Sequence, residues 1–330
     1  MKVLLCTRGD YYRNFAGDSM QVIKLAHYLR KRGVTVDIND GVINDYSDYD
    51  IIHLFNLNRT GETYKYYKLA HKYKKNIVIS PLYWDLTTYY KYINDVDGVK
   101  LTERCNLYRE EILKGCKKIF PNSYIEDKLL RKKFGINSPS YVVYNGVEVE
   151  AEDTPLYNFK DRYNFDNYIL SVGRISPEKN QLTLCKVCDK LGLQLVLIGN
   201  VSNKEYFKQC IKYHNVTYLG FMDSYNIYNA YRFAKLHILP GFFETPGLSS
   251  LEAAASGCIL VSTEEGSARE YFKDMATYCS PYDEKSIENS ILEGVKSHKM
   301  NKLKEYVQNH YSWEKSANEI YKCYQEILNV

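Results

Sequence analysis

Tyr168-Ile169-Leu170-Ser171-Val172-Gly173-Arg174-Ile175-Ser176-Pro177-Glu178-Lys179-Asn180 runs from a short apolar strand, through a glycine-led loop, towards a helix. One such unit says little, but the same alternation continues downstream. Leu195–Ile198, Val216–Leu219, Leu236–Leu239, Ile259–Ser262 and Thr277–Ser280 are further apolar runs, each separated from the next by a helical pattern. Strands without a polar face, alternating with helices, predict a parallel sheet covered on both sides.

Upstream, Glu148–Asp166 holds acids, Pro155 and scattered aromatics without a sustained period, and reads as a linker. The first half then repeats the pattern. Lys2–Thr7 is a strand and Arg8–Asp18 a loop. Ser19–Arg32 is a helix with Val22, Leu25, Ala26 and Leu29 on one face, stopped by Gly33. Val34–Ile38, Ile51–Phe55, Ile77–Ser80, Lys118–Pro121 and Tyr141–Tyr144 are strand candidates, and Glu62–Tyr73 and Ile125–Phe134 are helical. Ser312–Val330 puts Trp313, Ala317, Ile320, Tyr321, Tyr324, Ile327 and Leu328 on one stripe that must be covered. The expected organisation is an α/β chain of two Rossmann-like domains, residues 1–150 and 151–312, with a closing helix at 313–330 packed back on the first. Such sheets bind ligands at the carboxyl ends of their strands.

Composition narrows the function classes. The 330 residues carry 44 Lys and Arg against 40 Asp and Glu, a net charge of +4, too small to argue for nucleic acid. The apolar run after Lys2 is too short for a signal peptide, and no stretch approaches the ~20 apolar residues of a membrane span. A cytoplasmic protein is expected. The nine cysteines have no framework spacing, and Cys185-x-x-Cys188 lacks the second pair that zinc requires. Many of the 33 tyrosines are expected to be partly exposed, because a buried phenol needs a hydrogen-bond partner.

Two segments carry the chemistry. In the opening stretch Gly173 allows close backbone approach, while Arg174 and Lys179 set a planar fork and a mobile point charge five positions apart at a strand's carboxyl end. That pairing suits a diphosphate. The second is Gly241-Phe242-Phe243-Glu244-Thr245-Pro246-Gly247-Leu248-Ser249-Ser250-Leu251-Glu252-Ala253-Ala254-Ala255-Ser256-Gly257. A strand ends near Pro240, and a slim alanine-rich helix begins around Gly247 with its free amides turned outward, a favourable place for phosphate. Glu244 stands just ahead of this helix and Glu252 about two turns inside it.

Together the two segments resemble the donor-site motifs of retaining glycosyltransferases of family four, the group 1 glycosyl transferases of GT-B fold. There a Gly-Arg…Glu-Lys-Asn loop is followed by two glutamates eight positions apart around a Gly-Leu. Ala16-Gly17-Asp18 resembles the family's N-terminal glycine loop, although that loop usually carries two adjacent glycines. Asn145-Gly146-Val147 resembles the end of the first domain, and Trp313 the start of the closing helix. The resemblance implies parallel sheets facing a central cleft and no metal or organic cofactor beyond a UDP- or GDP-linked sugar as donor substrate. Arg174 and Lys179 would bind the donor phosphates, Glu244 the sugar hydroxyls and Glu252 the ribose. The amides of Gly247 and Leu248, with Gly17, would complete the phosphate cradle, and backbone near Phe221 and Met222 would meet the base. The acceptor would be a glycan or lipid-linked hydroxyl in polysaccharide, glycan or glycolipid assembly. A histidine common at the end of an N-domain strand is absent from Ser80-Pro81-Leu82-Tyr83-Trp84-Asp85; His53 is either a site residue or a packed one. Lys65, Lys68, His71, Lys72, Lys74 and Lys75 mingle with Tyr64, Tyr66, Tyr67 and Tyr73, which suggests a peripheral membrane contact.

Other readings fit less well. A metal-dependent transferase needs Asp-x-Asp after an apolar strand, whereas Asp48-Tyr49-Asp50 precedes one and Asp95-Val96-Asp97 lies between helices. A retaining glycosidase needs carboxylates ~5–5.5 Å apart and has no use for the cationic loop. Neither half carries Gly-x-Gly-x-x-Gly after its first strand, which argues against a dinucleotide oxidoreductase. A nucleotide-sugar-binding protein without turnover remains the alternative, distinguished by assaying nucleoside diphosphate release.

Overall fold

Continuous apolar runs become strands with no solvent face. In the computed structural model, which describes residues 1–148, 154–299 and 301–329, the chain forms two units, Met1–Gly146 with Tyr311–Val330, and Val147–His310.

The first unit begins with β1 (Lys2–Cys6), α1 (Gly17–Lys31), β2 (Thr35–Asn39), β3 (Ile51–Phe55), α2 (Thr60–Lys72) and β4 (Asn76–Ser80). It continues through α3 (Thr87–Tyr92), α4 (Val96–Gly115), β5 (Lys118–Ile119) and α5 (Tyr124–Phe134). The strands are parallel in the order β2-β1-β3-β4-β5. Residues of β1, β3 and β4 are buried on both faces: Leu4, Ile52 and Ile79 pack with α2 and α4, while Val3, Ile51 and Val78 pack with Val22, Leu25 and Leu29 of α1. The expected strand at Tyr141–Tyr144 is extended chain with a single bridge, Ile119 to Ser140. Its backbone follows β5 through Tyr141 N to Ile119 O (2.9 Å) and Val143 N to Pro121 O (2.9 Å). The prolines at 121 and 139 lack the amides that a longer ladder would use.

The second unit holds α6 (Phe159–Tyr163), β6 (Ile169–Val172), α7 (Gln181–Lys190), β7 (Leu195–Ile198), α8 (Lys204–Cys210), β8 (Val216–Tyr218) and α9 (Ser224–Phe233). β9 (Leu236–Leu239), α10 (Leu248–Ala255), β10 (Leu260–Thr263), α11 (Ala268–Phe272), β11 (Thr277–Cys279), α12 (Glu284–Lys296) and α13 (Asn301–His310) complete it. Its sheet is again parallel, in the order β11-β10-β9-β6-β7-β8. Residues 149–153 of the segment expected to be a linker lie outside the described residues. The rest is not a free connection: Phe159 is fully buried, and Tyr157, Tyr163 and Phe165 pack with it against Tyr168 and α9. Aromatic anchors, which need no helical period, hold this stretch to the domain.

The chain then returns to the first unit as α14 (Trp313–Leu328). Ala317, Ile320, Cys323 and Tyr324 cover the α1 side of the first sheet. A Cβ on Gly146 would sit 2.1 Å from Trp313 N, so only glycine lets the start of α14 approach this extended stretch.

Most tyrosines are at least partly exposed, as expected, while a minority lie in the core. Tyr46, Tyr83, Tyr168, Tyr231, Tyr271 and Tyr324 are fully buried. Several phenols find interior partners instead of water: Tyr168 donates to Ala230 O (2.6 Å), and the Tyr46 hydroxyl lies 3.0 Å from Asn39 Nδ2. Tyr66 and Tyr67 of α2 are also buried, leaving Lys65, Lys68, His71, Lys72 and Lys74 exposed. The face read as mixed basic and aromatic is therefore mainly basic. No helix among the described residues is long and apolar enough to cross a membrane.

Candidate functional site

The second sheet's carboxyl edge is built on glycine. Gly173, Gly199 and Gly220 follow β6, β7 and β8, and all have positive φ (155°, 141° and 75°). Gly199 N donates to Gly220 O (2.8 Å), and a Cβ on Gly199 would lie 2.1 Å from Gly173 O. The three turns therefore nest without side chains, leaving the strand ends open to a ligand. Gly199 and Gly220 escape the sequence reading, although each directly follows a recognisable strand or lies one residue beyond it.

Gln181 shapes the loop after β6. Its buried amide donates from Nε2 to Arg174 O (2.7 Å) and accepts at Oε1 from Ser176 N (3.3 Å). Asn180, in the left-handed region at φ 59°, donates to Pro281 O (3.0 Å). Ile175 N is bonded to Asn200 O and Ser202 N to Ile175 O, tying the loop to the one after β7. Arg174 on this loop is exposed, and its guanidinium makes no hydrogen bond or ion pair among the described residues.

Lys179 and Glu244, 65 positions apart, meet directly: Nζ lies 2.5 Å from Oε1. The Glu244 side chain is only 4% exposed and that of Lys179 21%. Two glycines make room for the carboxylate. A Cβ on Gly241 would fall 2.7 Å from Oε1, and one on Gly247, where φ is 86°, 3.1 Å from Oε2. Backbone fixes the rest. Phe242 N donates to Glu178 O, Glu244 N to Glu265 O, and Ser267 N to Glu244 O, so the loop after β9 is held between those after β6 and β10. Burial, reinforced by Glu264, raises the Glu265 carboxyl above its usual range. Glu265 and Ser267 were not anticipated from the sequence.

α10 begins with Gly247 as its cap and no side-chain cap bond. Its first backbone bond is Ser250 N to Gly247 O (3.0 Å), so the amides of Leu248 and Ser249 precede the helical ladder. Such an end carries partial positive charge. Glu252 is the fifth residue of α10, little more than one turn inside it, closer to the helix start than the two turns expected; the helix begins at Leu248 because Gly247 is not helical. Its Oε2 lies 3.4 Å from the Tyr231 hydroxyl. Nearby, Phe221 is 62% exposed and Met222 packs partly on the β6–α9 core.

Gly173, Arg174, Lys179, Phe221, Met222, Glu244, Gly247, Leu248 and Glu252 all belong to this unit. Gly17 lies in the first, as the first residue of α1. There Arg8, 4% exposed, braces the loop: it donates to Asp18 (2.9 Å), Asp10 (2.6 Å), Asn14 O (2.5 Å) and Ser19 (2.8 Å). Burial alone would raise the Asp18 carboxyl, but bonds from Arg8 and Asn56 outweigh it and hold it below the usual range.

His53 is a packed residue. It is fully buried in β3, with Nδ1 2.5 Å from the Tyr324 hydroxyl and Nε2 3.0 Å from Ser80 Oγ, and thus fastens α14 to the sheet. Burial depresses its pKa to about 3. His237 of β9 is buried likewise, with Nε2 accepting from Val172 N (3.4 Å) and a pKa pushed down to about 3. The Asp-x-Asp pairs have local duties: Asp95 caps α4 by accepting from Gly98 N, and Asp50 accepts from Lys2 N.

Comparison with known proteins agrees with this arrangement. Residues 158–313 match the family described as Glycosyl transferases group 1. The chain is similar to an uncharacterised glycosyltransferase of Methanocaldococcus jannaschii, 26% identical over 214 residues, covering 57% of this chain and 55% of that one. It spans about half, or less, of the length of the first curated relatives it matches. Among solved structures, a sucrose-phosphate synthase from Thermosynechococcus elongatus superposes with a TM-score of 0.83 at 16% identity, over 100% of this chain and 99% of that one. HepE of Anabaena, solved with UDP and glucose, gives 0.75 at 15% identity over 99% and 100%. The fold is GT-B, with two parallel α/β sheets. Its second unit is thus similar to the group 1 glycosyl transferases.

Proposed function

We propose that the chain is a retaining, metal-independent hexosyltransferase that moves a sugar from a UDP- or GDP-linked donor to a hydroxyl of a glycan or lipid-linked acceptor. The observation that carries this reading is the Lys179–Glu244 pair, its carboxylate buried and seated between Gly241 and Gly247, at the same sheet edge as Arg174, unpaired among the described residues, and the start of α10. An ammonium has three protons. One serves Glu244, and the others remain for a diphosphate, with the Arg174 fork and the amides of Leu248 and Ser249 supplying further donors. As the sugar–phosphate bond breaks, negative charge gathers on the diphosphate, where fixed cations and helix amides stabilise it without reorganisation. Glu244 orients the sugar hydroxyls and Glu252 the ribose, while backbone near Phe221 and Met222 contacts the base. The leaving phosphate takes the acceptor's proton.

The solved complex of HepE with UDP and glucose supports a nucleotide-linked donor for a protein of this fold. The test is nucleoside diphosphate release from a panel of UDP- and GDP-sugars, with and without EDTA, for the wild type and Lys179→Ala. Release that survives EDTA and falls at least tenfold in the variant is expected. Binding of the nucleotide sugar without release would instead make the chain a non-catalytic binder, and activity restored only by manganese would exclude the metal-independent mechanism.

A further inference from the structure

The other edge of the second sheet holds a cleft of about 350 Å³. Lys160, Arg232, Lys235 and Lys299 line it, with Phe233 and Ile259 as apolar wall. Lys235 and Ile259 stand immediately ahead of β9 and β10, and Asn167 precedes β6. In a parallel sheet these positions share the amino-terminal edge, whereas Gly173, Glu244 and Gly247 lie beyond the carboxyl ends. The cleft is therefore separate from the donor site.

Its charge is uncompensated. Several other lysines in this unit face carboxylates: Lys186 meets Glu284, Lys190 and Lys285 share Glu288, and Lys208 meets Glu205. None of the four cleft cations has a carboxylate partner among the described residues. Their bonds go to neutral oxygens, Lys160 to Asn167 Oδ1 (2.8 Å), Lys299 to Arg232 O (2.6 Å), Arg232 to Ser256 O (3.1 Å) and Lys235 to Ser297 O (3.5 Å). These bonds orient the cations without neutralising them. Desolvation first, then the nearby charges of Arg232, Lys160 and Lys235, depresses the pKa of Lys299. Four like charges converging on one hollow repel one another, a cost that a bound anion removes. Each ammonium uses one proton internally and keeps others for a ligand.

We propose that this cleft is a second anion site, taking a soluble phosphate-bearing small molecule whose phosphate engages Lys235, Lys299, Arg232 and Lys160 and whose body lies against Phe233 and Ile259. The volume falls at the small end of ligand pockets, the size of a phosphorylated monosaccharide. Multiple cationic donors with no competing carboxylate favour a phosphate dianion over a carboxylate or sulfate ester of lower charge.

Calorimetric titration with inorganic pyrophosphate and with glucose 6-phosphate tests the assignment. Arg174→Ala/Lys179→Ala removes the cations of the donor site, so binding that persists there reports the cleft. Adding Lys235→Gln/Lys299→Gln to that background is expected to weaken the residual binding at least tenfold, as is Lys160→Gln/Lys235→Gln, which covers the case of one variant failing to fold. In the ligand-free protein these changes relieve repulsion, so the melting temperature at low salt should hold or rise. Absence of residual binding in the Arg174→Ala/Lys179→Ala protein overturns the proposal, as does residual binding that neither cleft variant alters. Phosphatidic acid vesicles distinguish the other source of phosphate: if they are retained through Lys235 and Lys299 while both soluble probes fail, the cleft is not a small-molecule site.

Discussion

Glu244→Gln preserves the size of a side chain that is almost wholly buried and removes its charge. Lys179 Nζ, 2.5 Å from Oε1, then loses its counter-charge, and the sugar loses a charged acceptor. A hydrogen bond to a charged group is worth about 1.5–3 kcal/mol. If that interaction is made chiefly as the bond breaks, turnover falls roughly ten- to a hundredfold. Free nucleoside diphosphate should respond in the opposite direction: with Glu244 neutral, Lys179 presents its full charge to the phosphates, and affinity holds or rises. Glu252→Gln should weaken nucleoside diphosphate and intact donor alike with little change in kcat, the signature of uniform binding loss. Calorimetry gives the Kd and a coupled assay of diphosphate release gives kcat. Should the two variants weaken the free nucleoside diphosphate equally, the assignment of sugar to Glu244 and ribose to Glu252 is wrong.

Other outcomes follow from the same geometry. Gly247→Ala forces a side chain into the left-handed region beside Glu244 and Leu239, at about 1–2 kcal/mol for the backbone alone, and should lower both the melting temperature and donor affinity; unchanged values would refute the strain argument. Arg8→Met strands the largely covered Asp18 and should destabilise the first unit by up to about 3 kcal/mol in urea unfolding, with partial recovery on adding Asp18→Asn. His53 and His237 are buried with pKa values near 3, so the unfolded chain binds more protons between that value and about 6.5. Stability is thus present above pH 6.5 and lost on acidification, by about 2 kcal/mol per histidine between pH 7 and pH 5. His53→Gln should flatten that dependence in the first unit, and a profile already flat in the wild type would contradict the burial of a neutral imidazole.

Much of this was legible because it is local. Ile169–Val172 and Leu195–Ile198 read as buried strands because none of their residues needs water, and the α14 stripe read as covered because its period is helical. Arg174, Lys179, Glu244 and Gly247 were singled out through their motifs, and the structure brings Lys179, Glu244 and Gly247 close together. What escaped depends on distant neighbours. His53 is packed because Tyr324, 271 positions later, reaches its Nδ1. Tyr66 and Tyr67 looked like part of a surface because burial of adjacent residues on a helix depends on what packs over them, here the α4 side of the core. The cationic cleft gathers residues from five short segments, none of which carries a pattern of its own. Gly199 and Gly220 could have been found by asking which residue follows each strand.

In the proposed reaction the donor's diphosphate rests on Arg174, Lys179 and the start of α10. The most direct test of that placement is calorimetric binding of UDP and GDP to the wild type, Arg174→Ala and Lys179→Ala at fixed salt. One nucleotide should bind the wild type, and each substitution should weaken it by about tenfold or more, consistent with about 1.5–3 kcal/mol per charge-assisted contact. Nucleotide affinity undiminished in both variants would contradict it.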